Sequence, residues 1–111
     1  MVFGPYEIES LIFGLTLPSW QTRAESAWEL GRYDDDRAVD ALLDLLAQPG
    51  ENTAVLMEVV ASLDRIRSQR ARGGLRDFAA RTSVGTLMEE RCSEAALRAV
   101  ERLDALGQPY S

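Results

Sequence analysis

The stretch that decides the fold is TRAESAWELGRYDDDRAVDALLDLL, residues 22–46, because the chain repeats its pattern 33 residues later as VLMEVVASLDRIRSQRARGGLRDFA, residues 55–79. The two stretches are identical at seven positions. These are Glu25/Glu58, Leu30/Leu63, Arg32/Arg65, Arg37/Arg70, Ala38/Ala71, Leu42/Leu75 and Asp44/Asp77. A self-match at this period is typical of stacked helical units, which share one core because a single unit cannot bury its apolar face alone.

Apolar residues recur every three or four positions along the chain, which is the spacing of one face of an α-helix. Start and stop signals divide the chain into six predicted helices. They cover about residues 5–15, 18–33, 36–48, 52–69, 71–81 and 86–106. Asp36 is the predicted N-cap of the third helix, and Thr86 with Glu89 forms a predicted capping box at the sixth. Gly73 and Gly74 weaken the start of the fifth.

These helices fit a single domain built as half-unit 5–17, unit 18–50, unit 51–83 and half-unit 84–107. We therefore predict an all-α fold, a short right-handed α-solenoid of about six antiparallel helices. The two terminal helices would cap the stack, and they leave its oligomeric state open.

Residues 23–46 resemble the short HEAT-like repeat of the phycobilisome-lyase type. The matching positions are Arg23, Ala27, Leu30, Gly31, Asp36, Arg37, Ala38, Val39, Leu42 and Leu46. The second unit diverges, since Asp64 stands in the place of Gly31 and Gln69 in the place of Asp36. Members of this family include bilin lyase subunits, scaffolds and adaptors, so the resemblance implies a fold and no single activity.

Composition narrows the range of functions. The chain has 12 basic and 18 acidic residues, a net charge of −6, and every basic residue is arginine. Binding to nucleic acid is therefore not expected. Without histidine and with one cysteine, the chain is not expected to hold a zinc cluster or a cofactor, or to act as an enzyme. It has no positively charged leader and no membrane-spanning run, so we expect a cytoplasmic protein that binds no membrane.

In repeats of this type the second helix of each unit lines the concave surface, so we predict that a partner protein binds there, opposite the buried leucines. The candidate residues are Glu9, Phe13, Arg37, Asp40, Asp44, Arg72, Arg76 and Asp77. An aromatic side chain such as Phe13 among charges is typical of a protein-contact anchor. The alternative is that Phe13 packs under the N-terminal cap and the charges are only solvated.

Arginine is concentrated in residues 64–81, a segment with a charge of +4. It is either a site for phosphate or an acidic partner, or a set of arginines paired with acids of the third and sixth helices, which we favour. Asp34, Asp35 and Asp36 lack the spacing of a calcium loop and fit a helix start, so no metal site is predicted.

Trp20 and Trp28 lie eight residues apart on one side of the second helix, and core packing is the simplest interpretation, with partial exposure of Trp20 left open. Cys92 lies on the apolar stripe of the sixth helix and is predicted to be a small buried residue.

The sequence therefore predicts a non-catalytic interaction module or adaptor that binds a partner protein through its concave face. Two alternatives stay open. One is an accessory subunit or chaperone for a bilin or prosthetic-group lyase, which the family resemblance allows. The other is a small acidic inhibitor of a basic protein, which size and charge suggest.

Overall fold

The computed structural model describes residues 5–107. This part of the chain contains six α-helices, one short 3-10 helix and no β-strand. The helices are α1 (Pro5–Gly14), α2 (Trp20–Leu30), α3 (Asp36–Ala47), α4 (Thr53–Ile66), α5 (Arg72–Thr82) and α6 (Leu87–Gly107), with the 3-10 helix at Gln69–Ala71. The predicted all-α solenoid of six helices is confirmed.

Two side-chain caps correct the predicted helix starts. The Ser19 hydroxyl accepts the backbone N–H three residues on, at 3.3 Å, so α2 begins at Trp20 and not at Pro18. Asp35 accepts the N–H two residues on, at 2.8 Å, so Asp35 and not Asp36 is the N-cap of α3. Among three consecutive aspartates, the cap is the one whose backbone is extended just before the helical turn begins.

The connection from α4 to α5 also differs from the prediction. Helix α4 ends at Ile66, not near residue 69, because Arg67 takes the left-handed conformation with φ of 56°. Ser68 then caps the 3-10 helix. A Cβ atom added at Gly74 would lie 2.5 Å from Cδ2 of Leu43, so this glycine permits the close approach of α5 to α3.

The predicted capping box at the start of α6 is confirmed. The Thr86 hydroxyl accepts the Glu89 N–H at 3.2 Å, and the Glu89 carboxylate accepts the Thr86 N–H at 3.5 Å. Pro109, which the sequence predicts as the stop signal beyond this helix, lies outside the described residues.

The helices form two layers, which we call the even layer (α2, α4 and α6) and the odd layer (α1, α3 and α5). The Cα atoms extend over 40 × 37 × 16 Å. The shortest dimension matches two layers, since the axes of packed helices lie about 8–10 Å apart.

Among helices that follow each other along the chain, packing is most extensive within α1–α2, α3–α4 and α5–α6. The unit boundaries 18–50 and 51–83, which pair α2 with α3 and α4 with α5, stay a prediction.

Helices in the even layer contact each other more extensively than helices in the odd layer. Small residues allow this approach: Ala27 is fully buried, and Gly31 packs against Ser62. In a curved stack, neighbouring helices lie closest together on the inner side. The even layer is therefore the more closely packed of the two, and which layer lines the concave side stays a prediction.

One continuous apolar core joins the two layers. Leu30 and its repeat equivalent Leu63 are both fully buried, and so is Leu42. Phe78 is the largest of the fully buried side chains. Three of the seven identical pairs are thus core positions, because both members are fully buried: Leu30/Leu63, Ala38/Ala71 and Leu42/Leu75.

Replacing Gly31 with alanine is expected to lower the free energy of unfolding by about 1–3 kcal/mol, because the site has no room for a methyl group. An added Cβ would lie 2.5 Å from Oγ and 2.8 Å from Cβ of Ser62, and it would also collide with the Arg65 guanidinium. Urea unfolding followed by helical circular dichroism measures the change.

The matched control is Gly73 to alanine. Gly73 lies exposed in α5, and a Cβ added there meets nothing within 4 Å. This substitution is expected to stabilise the protein by about 0.5–1 kcal/mol through helix propensity alone. Shifts of the same sign for the two variants would contradict the close contact at Gly31.

Candidate protein-interaction surfaces

Five of the eight predicted binding residues lie on the exposed side of α1 and α3 in the odd layer: Glu9, Phe13, Arg37, Asp40 and Asp44. The two helices meet there, since Nη1 of Arg37 lies 3.7 Å from Oε1 of Glu9. Phe13 is 65 % exposed, so the alternative in which it packs under the N-terminal cap is wrong. An exposed phenyl ring is thus available beside these charges.

Two of these charges are already engaged within the molecule. Arg37 donates to both carboxylate oxygens of Asp35 at 3.1 and 2.9 Å, and these hydrogen bonds lower the pKa of Asp35. Arg70 donates to both oxygens of Asp40 at 2.6 and 2.8 Å, which lowers the pKa of Asp40. Asp44 is exposed and joins no ion pair within the described part of the chain.

The three predicted residues on α5 do not share one surface. Arg72 donates through Nε to Asp104 of α6, and the pKa of Asp104 is lowered by this hydrogen bond and further by the charges of Arg72 and Arg76. Arg72 and Arg76 therefore lie on the α6 side of α5. Asp77 is exposed, about 100° around the helix from Arg76. The grouping of Arg72 and Arg76 with the α3 residues is wrong, because helical periodicity turns them towards α6.

The arginine-rich segment connects helices. Its predicted pairing with acids of α3 and α6 is confirmed by Arg70 with Asp40 and by Arg72 with Asp104. Two further arginines donate to backbone carbonyls of other helices, Arg65 to Trp28 at 2.9 Å and Arg81 to Leu46 at 2.7 Å. Four of its six arginines thus have internal partners, so the segment does not form an open anion site.

The even layer carries a surface that the sequence interpretation assigned to the core. Trp20 and Trp28 are 41 % and 44 % exposed. The buried residues of α2 are Ser26, Ala27 and Leu30. The tryptophans lie outside this buried stripe, at the surface between α2 and α4.

The two indole rings line one surface groove of about 370 Å³. It is formed by Trp20, Gln21, Ala24, Glu25 and Trp28 of α2, together with Glu58 of α4. The apolar residues supply its walls, and the two glutamates supply negative charge. A signal for this site was present in the sequence, because Glu25 and Glu58 occupy equivalent positions of the two units.

Arginines contact the Trp28 ring from within the molecule. The guanidinium carbons of Arg65 and Arg32 lie 5.8 and 6.0 Å from the ring centroid, within the range of cation–π attraction. Arg32 is also paired with Glu29 at 3.3 Å. The residues that line the groove itself include no cationic side chain.

Another recess of about 410 Å³ lies where the α1–α2 and α3–α4 turns meet, and its charged groups satisfy each other. Arg23 donates to both carboxylate oxygens of Glu51 at 2.9 and 2.8 Å and to the carbonyls of Leu17 and Pro18, each at 2.8 Å. Burial raises the pKa of Glu51, but hydrogen bonds from Arg23 and the Asn52 N–H outweigh this effect and lower it overall. This recess has a structural role.

Two remaining features have structural roles as well. Asp35 caps α3, and within residues 5–107 no group of three acidic or thiol side chains could hold a metal ion. The Cys92 side chain is fully buried, as predicted. Burial, and to a lesser degree the charge of Glu89, raises the pKa of its thiol, which lowers its reactivity at neutral pH.

A family model described as HEAT repeats matches residues 8–91, which is most of the chain and includes α2 to α5 completely and parts of α1 and α6. The chain belongs to the HEAT repeat family. No curated protein and no solved structure matches it. The match is to HEAT repeats in general, so the phycobilisome-lyase subtype stays a prediction. HEAT repeats commonly mediate protein–protein interaction through the extended surfaces of their helix stacks. None of the HEAT helices between residues 5 and 107 is both long enough and apolar enough to cross a bilayer.

Proposed function

We propose that this HEAT repeat protein is a non-catalytic binding module that receives a partner protein on the exposed side of its even layer. The observation that carries this proposal is the pair of half-exposed tryptophans, Trp20 and Trp28, in one groove. Tryptophan is enriched among residues that dominate binding energy at protein interfaces, because a large ring loses little conformational entropy when it is buried.

Helices α2 and α4, which carry the groove, pack closely against each other. The groove is therefore preorganised, which reduces the entropy that binding costs and supports this surface as the docking face. The odd-layer surface with Phe13, Asp44 and Asp77 is the alternative docking face for the same function. Its exposed phenyl ring and carboxylates fit a basic partner, but most other charges on that side are already paired.

A double variant, Trp20→Ala with Trp28→Ala, is expected to lose at least about tenfold in affinity for the partner, because each ring is an anchor of the interface. The partner is captured from a lysate of the source organism with immobilised protein, identified and then titrated. Unchanged helical circular dichroism shows that the variant is folded, as expected for side chains that lie half outside the core.

The matched comparison is Asp44→Arg with Asp77→Arg on the opposite layer. Both residues are exposed, and neither forms an ion pair within residues 7–107, so their reversal leaves the fold intact. We expect this variant to bind the partner as the unaltered protein does. Loss of binding in the aspartate variant with retention in the tryptophan variant would move the interface to the odd layer.

A further inference from the structure

We infer that the groove between Trp20 and Trp28 recognises the guanidinium group of an arginine side chain in a basic segment of the partner protein. This inference rests on the proposed function and adds the chemistry of the partner. Three observations carry it: the composition of the groove, the origin of its carboxylates, and the arginines that already contact Trp28.

The groove combines the two elements that bind an organic cation. The indole ring of Trp20 attracts a cation through its quadrupole, and tryptophan is the strongest of the aromatic residues in this respect. Trp28, whose ring already contacts Arg65 and Arg32, supplies a further apolar wall. Glu25 and Glu58 add carboxylates that can accept the N–H groups of a planar guanidinium. Neither glutamate forms an ion pair within the described residues, so both are available to a ligand.

The two carboxylates come from different helices, Glu25 from α2 and Glu58 from α4. Because the helices are packed together, the core fixes the spacing of the two backbone positions from which these side chains extend. Such preorganisation reduces the entropy that binding costs. The arrangement favours a forked cation, which can reach two acceptors at once, over the point charge of an ammonium group.

Two arginines of the chain itself show that guanidinium groups can pack against the Trp28 ring. Arg65 and Arg32 already lie within 6.0 Å of its centroid, so guanidinium groups are compatible with its surroundings. Arg32 is balanced by Glu29, and Arg65 is held by the Trp28 carbonyl and the Ser62 hydroxyl. With Arg65 counted beside Glu25 and Glu58, the groove keeps a net negative charge that complements a basic segment.

Peptide binding to the groove can be followed by the fluorescence of the protein itself, because Trp20 and Trp28 are its two tryptophans. The probe is a triarginine peptide, and its control is the same peptide built from citrulline, which keeps the shape but has no charge. Indole emission is expected to change saturably with the arginine peptide. The citrulline peptide should bind at least about tenfold more weakly, and added salt should weaken arginine binding.

The variant Glu25→Gln with Glu58→Gln keeps both reporters and is expected to weaken arginine binding about tenfold. The variant Glu90→Gln with Glu94→Gln on α6 makes the same change in net charge at residues that line a different recess, and it should bind as the unaltered protein does. Equal weakening in the two variants would overturn the inference, because it would reduce the effect to overall charge.

Two other results would also overturn it: equal binding of the citrulline peptide, or an emission change that depends on protein concentration alone, which would mean that a second copy fills the groove. Either result leaves the proposed function standing if the tryptophan variant still loses its partner. Conversely, arginine-selective binding together with intact partner capture by the tryptophan variant would refute the proposed docking face and keep the cation site.

Discussion

Replacing Phe78 with alanine is expected to lower the free energy of unfolding by about 3–5 kcal/mol. Phe78 lies in α5, is 1 % exposed and is the largest fully buried side chain of the core. Its removal loses apolar burial and leaves a cavity that the close-packed helices cannot refill. The Arg81 guanidinium, 5.5 Å from the ring centroid, loses its aromatic partner as well. Urea unfolding followed by circular dichroism measures the loss.

The control for this variant is the same substitution at Phe13, a phenylalanine on the surface. Because its ring is 65 % exposed, Phe13→Ala is expected to change the free energy of unfolding by less than about 0.5 kcal/mol. A large loss of stability on replacing Phe13, or a small one on replacing Phe78, would contradict the described core. This variant also tests the odd-layer surface, since binding through Phe13 would weaken without a change in stability.

Replacing Arg23 with methionine is expected to cost about 3 kcal/mol, because Glu51 is then left as a buried and unpaired carboxylate. The Glu51 side chain is 6 % exposed, and Arg23 is also the hydrogen-bond donor to two carbonyls of the α1–α2 turn. The exposed pair of Arg32 and Glu29 is the control. Arg32→Met is expected to cost less than about 0.5 kcal/mol.

Acid titration checks the same ion pair. Because the folded pKa of Glu51 is lowered, its contribution to stability is complete above the ordinary pKa of a glutamate and is lost as the pH falls through the folded value. Adding Glu51→Gln to the Arg23 variant removes the uncompensated charge and should recover part of the loss. No recovery in the double variant would show that the carbonyl bonds of Arg23, and not its pairing with Glu51, provide the stability.

The helices could be predicted from sequence because their signals are local. The spacing of Leu30, Leu42, Leu63 and Leu75 identifies the buried faces, and the capping box at Thr86 needs only four residues to be recognised. The stop at Arg67 could not be predicted, since arginine gives no signal for a left-handed conformation.

The candidate surfaces were harder to predict because they depend on which side of a helix the neighbours cover. Periodicity places Trp20 and Trp28 together, but it does not say whether that side faces the core or the solvent. The close contact of Gly31 with Ser62 decides the question, and it becomes visible only when α2 and α4 are packed. The same is true of Arg72, whose partner Asp104 lies 32 residues away in α6.

The buried thiol of Cys92 can be used to measure how often α6 separates from the rest of the stack. Its sulfur lies on α6 against the first turn of α4, 4.0 Å from the Thr53 carbonyl oxygen, where no reagent can reach it while the two helices stay together. Since the chain has a single cysteine, the rate of its chemical modification reports how often α6 separates from the stack. Adding a partner to such an experiment would reveal whether binding holds the end of the solenoid closed.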